Sequence, residues 1–146
     1  KTDIVVVSFD DVMESIPHYQ QDKKNLGAEE AFGKWEICAR EIGYELLFQA
    51  IANNYNVIFD NTGSRPDHVD FLTALKQQRI YTLRFLYFPI SEELAMARAA
   101  KRERYLPPHY IPERRKKIEA LLPSFKALAD EYDEYISADQ LMAVTA

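Results

Sequence analysis

This chain of 146 residues is poor in several residue types: one cysteine, three histidines, one tryptophan and only four glycines. With Cys38 alone no internal disulfide can form, which points to a reducing compartment and a cytoplasmic setting. Cys38 itself falls in a helix-like segment and reads as a small core residue. His18, His68 and His109 are far apart, without an i,i+3 or i,i+4 pair, and no thiolate cluster exists, so no metal site is expected. No apolar run approaches the roughly 18 residues of a membrane span. The first apolar run is short and strand-like, with no small-residue cleavage site, so a signal peptide is not expected. Internal repeats, low-complexity tracts and linkers are likewise missing. One domain spanning 1–146 is the expectation, and it is long enough to bury a substantial core.

What is present is a globular composition, 47% hydrophobic and 28% charged. The net charge of −5 hides a segregation. Residues 98–117 carry eight Lys or Arg against two acids, whereas residues 118–146 carry six acids against one lysine. A basic island in an acidic chain suits a phosphate, on a nucleotide or on a nucleic acid. Base-stacking aromatics are not interleaved with these basic residues, so a nucleic-acid surface is the weaker reading.

The stretch Asn56-Val57-Ile58-Phe59-Asp60-Asn61-Thr62-Gly63-Ser64 is an apolar run closed by an acid and turn residues, the pattern of a buried strand. Ligands of open α/β sheets bind at the carboxyl ends of such strands, which places Asp60 and Thr62 on a functional rim. Ile4-Val5-Val6-Val7-Ser8-Phe9-Asp10-Asp11 repeats the pattern, with Asp10 at the strand end and Asp11 turned away by strand alternation. A third run, Thr82–Pro89, leads into Ser91-Glu92-Glu93, an N-cap followed by first-turn acids.

Between the strands, residues 28–54 read as a long helix with Phe32, Trp35, Ala39, Ile42 and Leu46 inward, and with Gly33 and Gly43 packed closely on the sheet. Residues 67–78 form a shorter helix with Val69, Leu72 and Leu75 inward. Residues 91–104 form another, in which Arg98 and Arg102 project from one face. The prolines make 105–111 a loop, and Pro112 suits the first turn of the next helix. A break or kink is expected at Pro123, with helix resuming over 124–135 and placing Phe125, Leu128 and Tyr132 on one side. Alternating strands and helices predict an α/β fold with a mainly parallel sheet flanked by helices.

These features together resemble the zeta-toxin branch of the P-loop kinases, over about residues 4–136. Asp10, followed by Pro17-His18-Tyr19, is similar to that family's strand acid and its "x-x-H-P-x-F/Y" element, with Ile16 where the family often has histidine. Asn56 to Gly63 resembles its D/E-x-T-G/S strand. Arg98, Arg102 and Arg104, followed by Leu106-Pro107-Pro108-His109-Tyr110-Ile111, resemble its lid, here residues 98–117, and Arg114 and Arg115 match the basic pair after it.

The resemblance implies a phosphotransferase using ATP and Mg²⁺ to phosphorylate a hydroxyl of a small acceptor such as a UDP-amino sugar. Asp10 would take the proton from that hydroxyl. Arg98, Arg102 and Arg104 would neutralise the triphosphate. Asp11 is the adjacent alternative to Asp10 and is otherwise assigned to the substrate with Arg115, while Asp60 and Thr62 would contact the acceptor or help hold magnesium through water. An antitoxin, or another protein, is the implied partner; a membrane is not.

The family's phosphate cradle, G-x4-G-K-S/T, does not occur in this sequence. Gly27 to Trp35 is one residue too long, contains two acids and ends in Trp instead of a hydroxyl. The fold is therefore expected to lack its first strand–P-loop–helix unit, through truncation or natural loss, and to be inactive in this form. Two alternatives stand beside the kinase: a polynucleotide-kinase-like enzyme, since Asp60-Asn61-Thr62 also fits that D-x-T pattern, and a non-catalytic binding module.

Overall fold

A computed structural model describes residues 3–135. It is a mixed α/β structure with parallel strand pairing, as the sequence pattern predicts. The chain divides into two compact units: residues up to Asn61 together with Glu103–Leu106, and Thr62–Arg102 together with the residues from Pro107 onward.

The first unit is a strand–helices–strand crossover. Strand β1 (Ile4–Ser8) leads into α1 (Phe9–Ser15), α2 (Pro17–Asn25), α3 (Ala28–Ala52) and β2 (Asn56–Asp60). The two strands pair in parallel, with Ile4 opposite Asn56 and Ser8 opposite Asp60. Parallel neighbours need a long connection, and the three helices supply it. Pro17 opens α2 at its first position, where a missing N–H costs nothing.

The end of α3 is set by asparagines. Asn54 adopts the left-handed conformation, φ 58°, and its N–H donates to the Ile51 carbonyl at 3.0 Å. Tyr55 N–H donates to the Ala50 carbonyl at 3.0 Å, completing a Schellman cap that turns the chain into β2.

Val7, Met13, Tyr19, Ala31, Phe32, Ala39, Leu47 and Ala50 form the core of this unit. The buried stripe of α3 runs through Ala39, Gly43, Leu47 and Ala50, one position on from the predicted Ile42 and Leu46, which are exposed. The small residue at 43 explains the shift. It receives the Phe9 ring, which also meets Tyr44 and Phe59 edge-on. Gly43 is thus close-packed, but against α1 and not the sheet, while Gly33 faces open space. Trp35 is half-buried, its indole N–H donating to Asp22 Oδ2 at 2.7 Å.

In the second unit, α4 (Pro66–Gln77) is followed by β3 (Arg84–Tyr87), α5 (Glu92–Ala100), α6 (Tyr110–Leu128) and β4 (Glu131–Glu134). Ser91 caps α5 as predicted, its Oγ accepting from Leu94 N–H at 3.2 Å. Pro112 falls in the first turn of α6. Three expectations are corrected here.

The helix expected over 91–104 stops at Ala100. Lys101 and Arg102 bond back only three residues, and the chain then extends toward Pro107 and Pro108. Pro123 does not break its helix; α6 runs through it to Leu128. The segment after Leu128 is not helical but forms β4, parallel to β3, with Arg84 opposite Glu131. Asp130 Oδ2 accepts from Leu83 N–H at 2.8 Å and starts that pairing. Phe85 then stacks on both Phe125 and Tyr132, at 4.9 and 5.7 Å, so the aromatic pair expected on one helix meets a strand residue from two elements. Among the described residues, no helix is long and apolar enough to cross a membrane.

Candidate functional site

The first unit gathers charge where β1 gives way to α1. The strand ends at Ser8, whose Oγ accepts from Asp11 N–H at 3.4 Å and caps the helix. Asp10 and Asp11 therefore stand in the first helical turn, not on the strand. This corrects the expectation that Asp11 turns away. Successive helical side chains are about 100° apart, not 180°, and both carboxylates reach one cation.

That cation is Arg104. Its Nη1 lies 2.8 Å from Asp10 Oδ2, its Nη2 3.2 Å from Asp11 Oδ1, and its Nε 3.8 Å from Glu14 Oε1. Glu14 follows Asp10 by one helical turn, so the two project along the same face. Burial opposes the Arg104 charge. The Asp10 charge, hydrogen bonds to Asp10 and Asp11, and the Glu14 charge more than offset it and hold the guanidinium above its ordinary pKa.

Tyr19, next to this cluster, is fully buried, and among the described residues its hydroxyl has no hydrogen-bond partner. Burial raises its pKa, as do the charges of Glu14 and Asp10, while Arg104 works in the opposite direction. A buried hydroxyl without a partner is costly, and here it lies within the field of the candidate acids.

The other predicted residues are distributed as follows. Asp60 ends β2, in register with Ser8, and is exposed. Thr62 belongs to the second unit, where its hydroxyl pairs with Ser64 Oγ at 2.8 Å. Gly63 between them has φ 63°, and a Cβ there would lie 2.9 Å from Ile118 Cδ1, so the turn admits no side chain without a shift. Arg98 lies in the last turn of α5, and Arg102 beyond its end. The two are therefore not paired on one helical face. Arg115 is held by structural bonds, its Nε to Glu119 Oε1 and its Nη1 to the Ile90 carbonyl, each 2.9 Å.

Of the eight predicted site residues, Asp10, Asp11 and Arg104 are brought together. Glu14, Gln20, Lys23 and the Tyr19 hydroxyl were missed. The four-residue step from Asp10 to Glu14 would have revealed the first of these, had the helix been started at Phe9.

The guanidinium of Arg104 suits polyphosphate oxygens, and a pair of aspartates suits a hydrated Mg²⁺, which takes only one or two carboxylates from a protein. No group of three His, Cys, Asp or Glu able to hold a metal ion occurs among the described residues. His18 stacks on Trp35, His109 meets Tyr110 edge-on, and His68 is buried in α4.

The family model described as Zeta toxin matches residues 1–144. No curated protein and no solved structure matches the chain.

Proposed function

The chain belongs to the zeta toxin family, and from that premise we propose that, where a phosphate cradle complements the residues described here, it transfers a phosphoryl group from ATP to a hydroxyl of a small acceptor, a UDP-amino sugar being the candidate. The observation that carries this reading is the convergence of Arg104 on Asp10 at the start of α1. A carboxylate within reach of an acceptor hydroxyl can take its proton, and a forked guanidinium beside it can meet phosphate charge.

In this reading Asp10 is the base and Arg104 stabilises charge on the transferring group. Asp60, at the end of the neighbouring strand, contacts the acceptor, with Asp11 and Thr62 as further polar contacts. Arg98, Arg102 and Arg115 are assigned to the nucleotide or the acceptor. ATP would supply the electrophilic γ-phosphoryl group, with ADP as the leaving group, and Mg²⁺ would neutralise charge on the triphosphate; the residues named here would hold and orient what that group meets. An antitoxin partner belongs to the same proposal.

The test is to incubate the full-length gene product with Mg·ATP and a panel of acceptors, including a UDP-amino sugar and a 5′-hydroxyl oligonucleotide, and to read each by mass. Gain of one phosphoryl group on the sugar nucleotide supports the proposal. Gain on the oligonucleotide alone would favour the polynucleotide-kinase-like reading, and gain on neither would favour a binding module.

A further inference from the structure

Glu14 has no part in the chemistry above, yet it is the most constrained carboxylate of the cluster. Gln20, from α2, donates its side-chain amide to Glu14 Oε2 at 2.7 Å and to the Glu14 carbonyl at 2.8 Å, fixing both ends of the residue. Lys23, one turn later, places Nζ 3.4 Å from Oε1 and 3.3 Å from Oε2. The same ammonium lies 5.3 Å from the centre of the buried Tyr19 ring. Helix α2 therefore holds Glu14 from one side. Its Oε1 meets the third nitrogen of Arg104, the Nε, from the other.

We propose that Glu14 is a positioning residue, held by Gln20 and Lys23, that sets the Arg104 guanidinium over Asp10 and Asp11. The role rests on the phosphotransferase reading, in which Arg104 meets the transferring phosphate. Arginine has several rotatable bonds and loses much rotamer freedom on being fixed. Asp10 is about half exposed and Asp11 more so, and both grip only the Nη end. Glu14 is the less exposed anchor, and its Oε1 stands 3.8 Å from Nε, too far for a hydrogen bond but close enough for its charge to draw that end of the fork toward α1. A guanidinium aimed before the ligand arrives loses less on binding and meets developing charge without rearrangement.

The test uses the full-length protein as wild type, Glu14→Gln, Arg104→Gln and the double variant. Glu14→Gln is expected to lower kcat by roughly ten- to a hundred-fold, with the acceptor KM changed by less than about twofold. Adding it to Arg104→Gln is expected to cause no further loss, because the effect runs through Arg104. Wild-type turnover in Glu14→Gln, or losses that multiply in full in the double variant, would overturn the proposal.

A readout independent of turnover is the Arg104 Nε–H signal in ¹⁵N NMR. It is expected to be sharp in the wild type and exchange-broadened in Glu14→Gln, with the backbone amide spectrum otherwise retained. If the wild type phosphorylates nothing, the phosphotransferase reading fails, and this signal alone decides whether Glu14 orients Arg104. An unchanged signal would sink the positioning role. Should Glu14→Gln fail to fold, Gln20→Ala removes the clamp while keeping the carboxylate, and the same broadening is expected there.

Discussion

Arg104 Nη1 sits 2.8 Å from Asp10 Oδ2, joining residues 94 positions apart in the chain at the first turn of α1. Asp10 is about half exposed, and pairs of this kind contribute only ~0–1 kcal/mol to stability. The pairing matters chiefly for how it aligns the guanidinium with the carboxylate. Asp11 shares the guanidinium at 3.2 Å but is more exposed. Asp11→Asn is therefore expected to lower turnover by less than about tenfold, a far smaller loss than for Asp10→Asn. Steady-state kinetics of the two variants checks the order, and equal losses would put the two aspartates in one role.

Tyr19→Phe removes a buried hydroxyl that has no partner among the described residues. Leaving such a group unsatisfied costs ~1–3 kcal/mol, so the variant is expected to melt at the same temperature as the wild type or higher. A thermal melt decides it. A clear fall would mean that a bound water or another group satisfies the hydroxyl.

The two glycines of α3 that lie within the helix should respond in opposite directions to alanine. At Gly43 a Cβ would come 2.6 Å from Phe9 Cε1, and such overpacking costs ~1–3 kcal/mol, more than the ~1 kcal/mol gained in helix propensity. At Gly33 nothing lies within 4 Å, so only the propensity gain remains. Urea denaturation is expected to place Gly43→Ala below the wild type and Gly33→Ala above it. The same sign at both positions would contradict the packing of Phe9 on α3.

Acid should weaken the β3–β4 pairing through Asp130. The Leu83 N–H and the Lys76 side chain hold its carboxyl below the ordinary aspartate range. A carboxylate with a depressed folded pKa contributes stability above its unfolded value, near 3.9, and loses it as the pH falls through the folded one. Glu14 behaves alike. Burial pushes its pKa up, but the Gln20 and Lys23 hydrogen bonds and the charges of Lys23 and Arg104 outweigh that and leave it lowered. Wild-type stability is expected to fall between about pH 5 and pH 2, and less steeply in Asp130→Asn. Parallel profiles would show that Asp130 is not linked to folding.

Much of this arrangement is legible in the residues. The apolar runs at Ile4 and Asn56 become a parallel pair, and Ser91 with its two glutamates starts a helix where expected. The failures have local causes. Phe9 extends an apolar run by one residue, which hides the Ser8 cap and moves Asp10 from a strand onto a helix. Ile42 and Leu46 match a helical stripe as well as Gly43 and Leu47 do, and only the fit of the Phe9 ring selects between them. Tyr132 follows Leu128 at helical spacing, but Asp130 binds the backbone of β3 and makes the segment a strand. Long-range partners such as Arg104 for Asp10 have no signature in local pattern. Only the family resemblance placed them in one site.

The most direct test is transfer of labelled phosphate from Mg·ATP to a UDP-amino sugar by the full-length protein and its Asp10→Asn variant, with nucleotide affinity measured alongside. Loss of turnover by about a hundred-fold or more in the variant, at nearly unchanged nucleotide affinity, is the predicted result. Equal turnover in the two proteins would remove Asp10 from the chemistry and contradict the account.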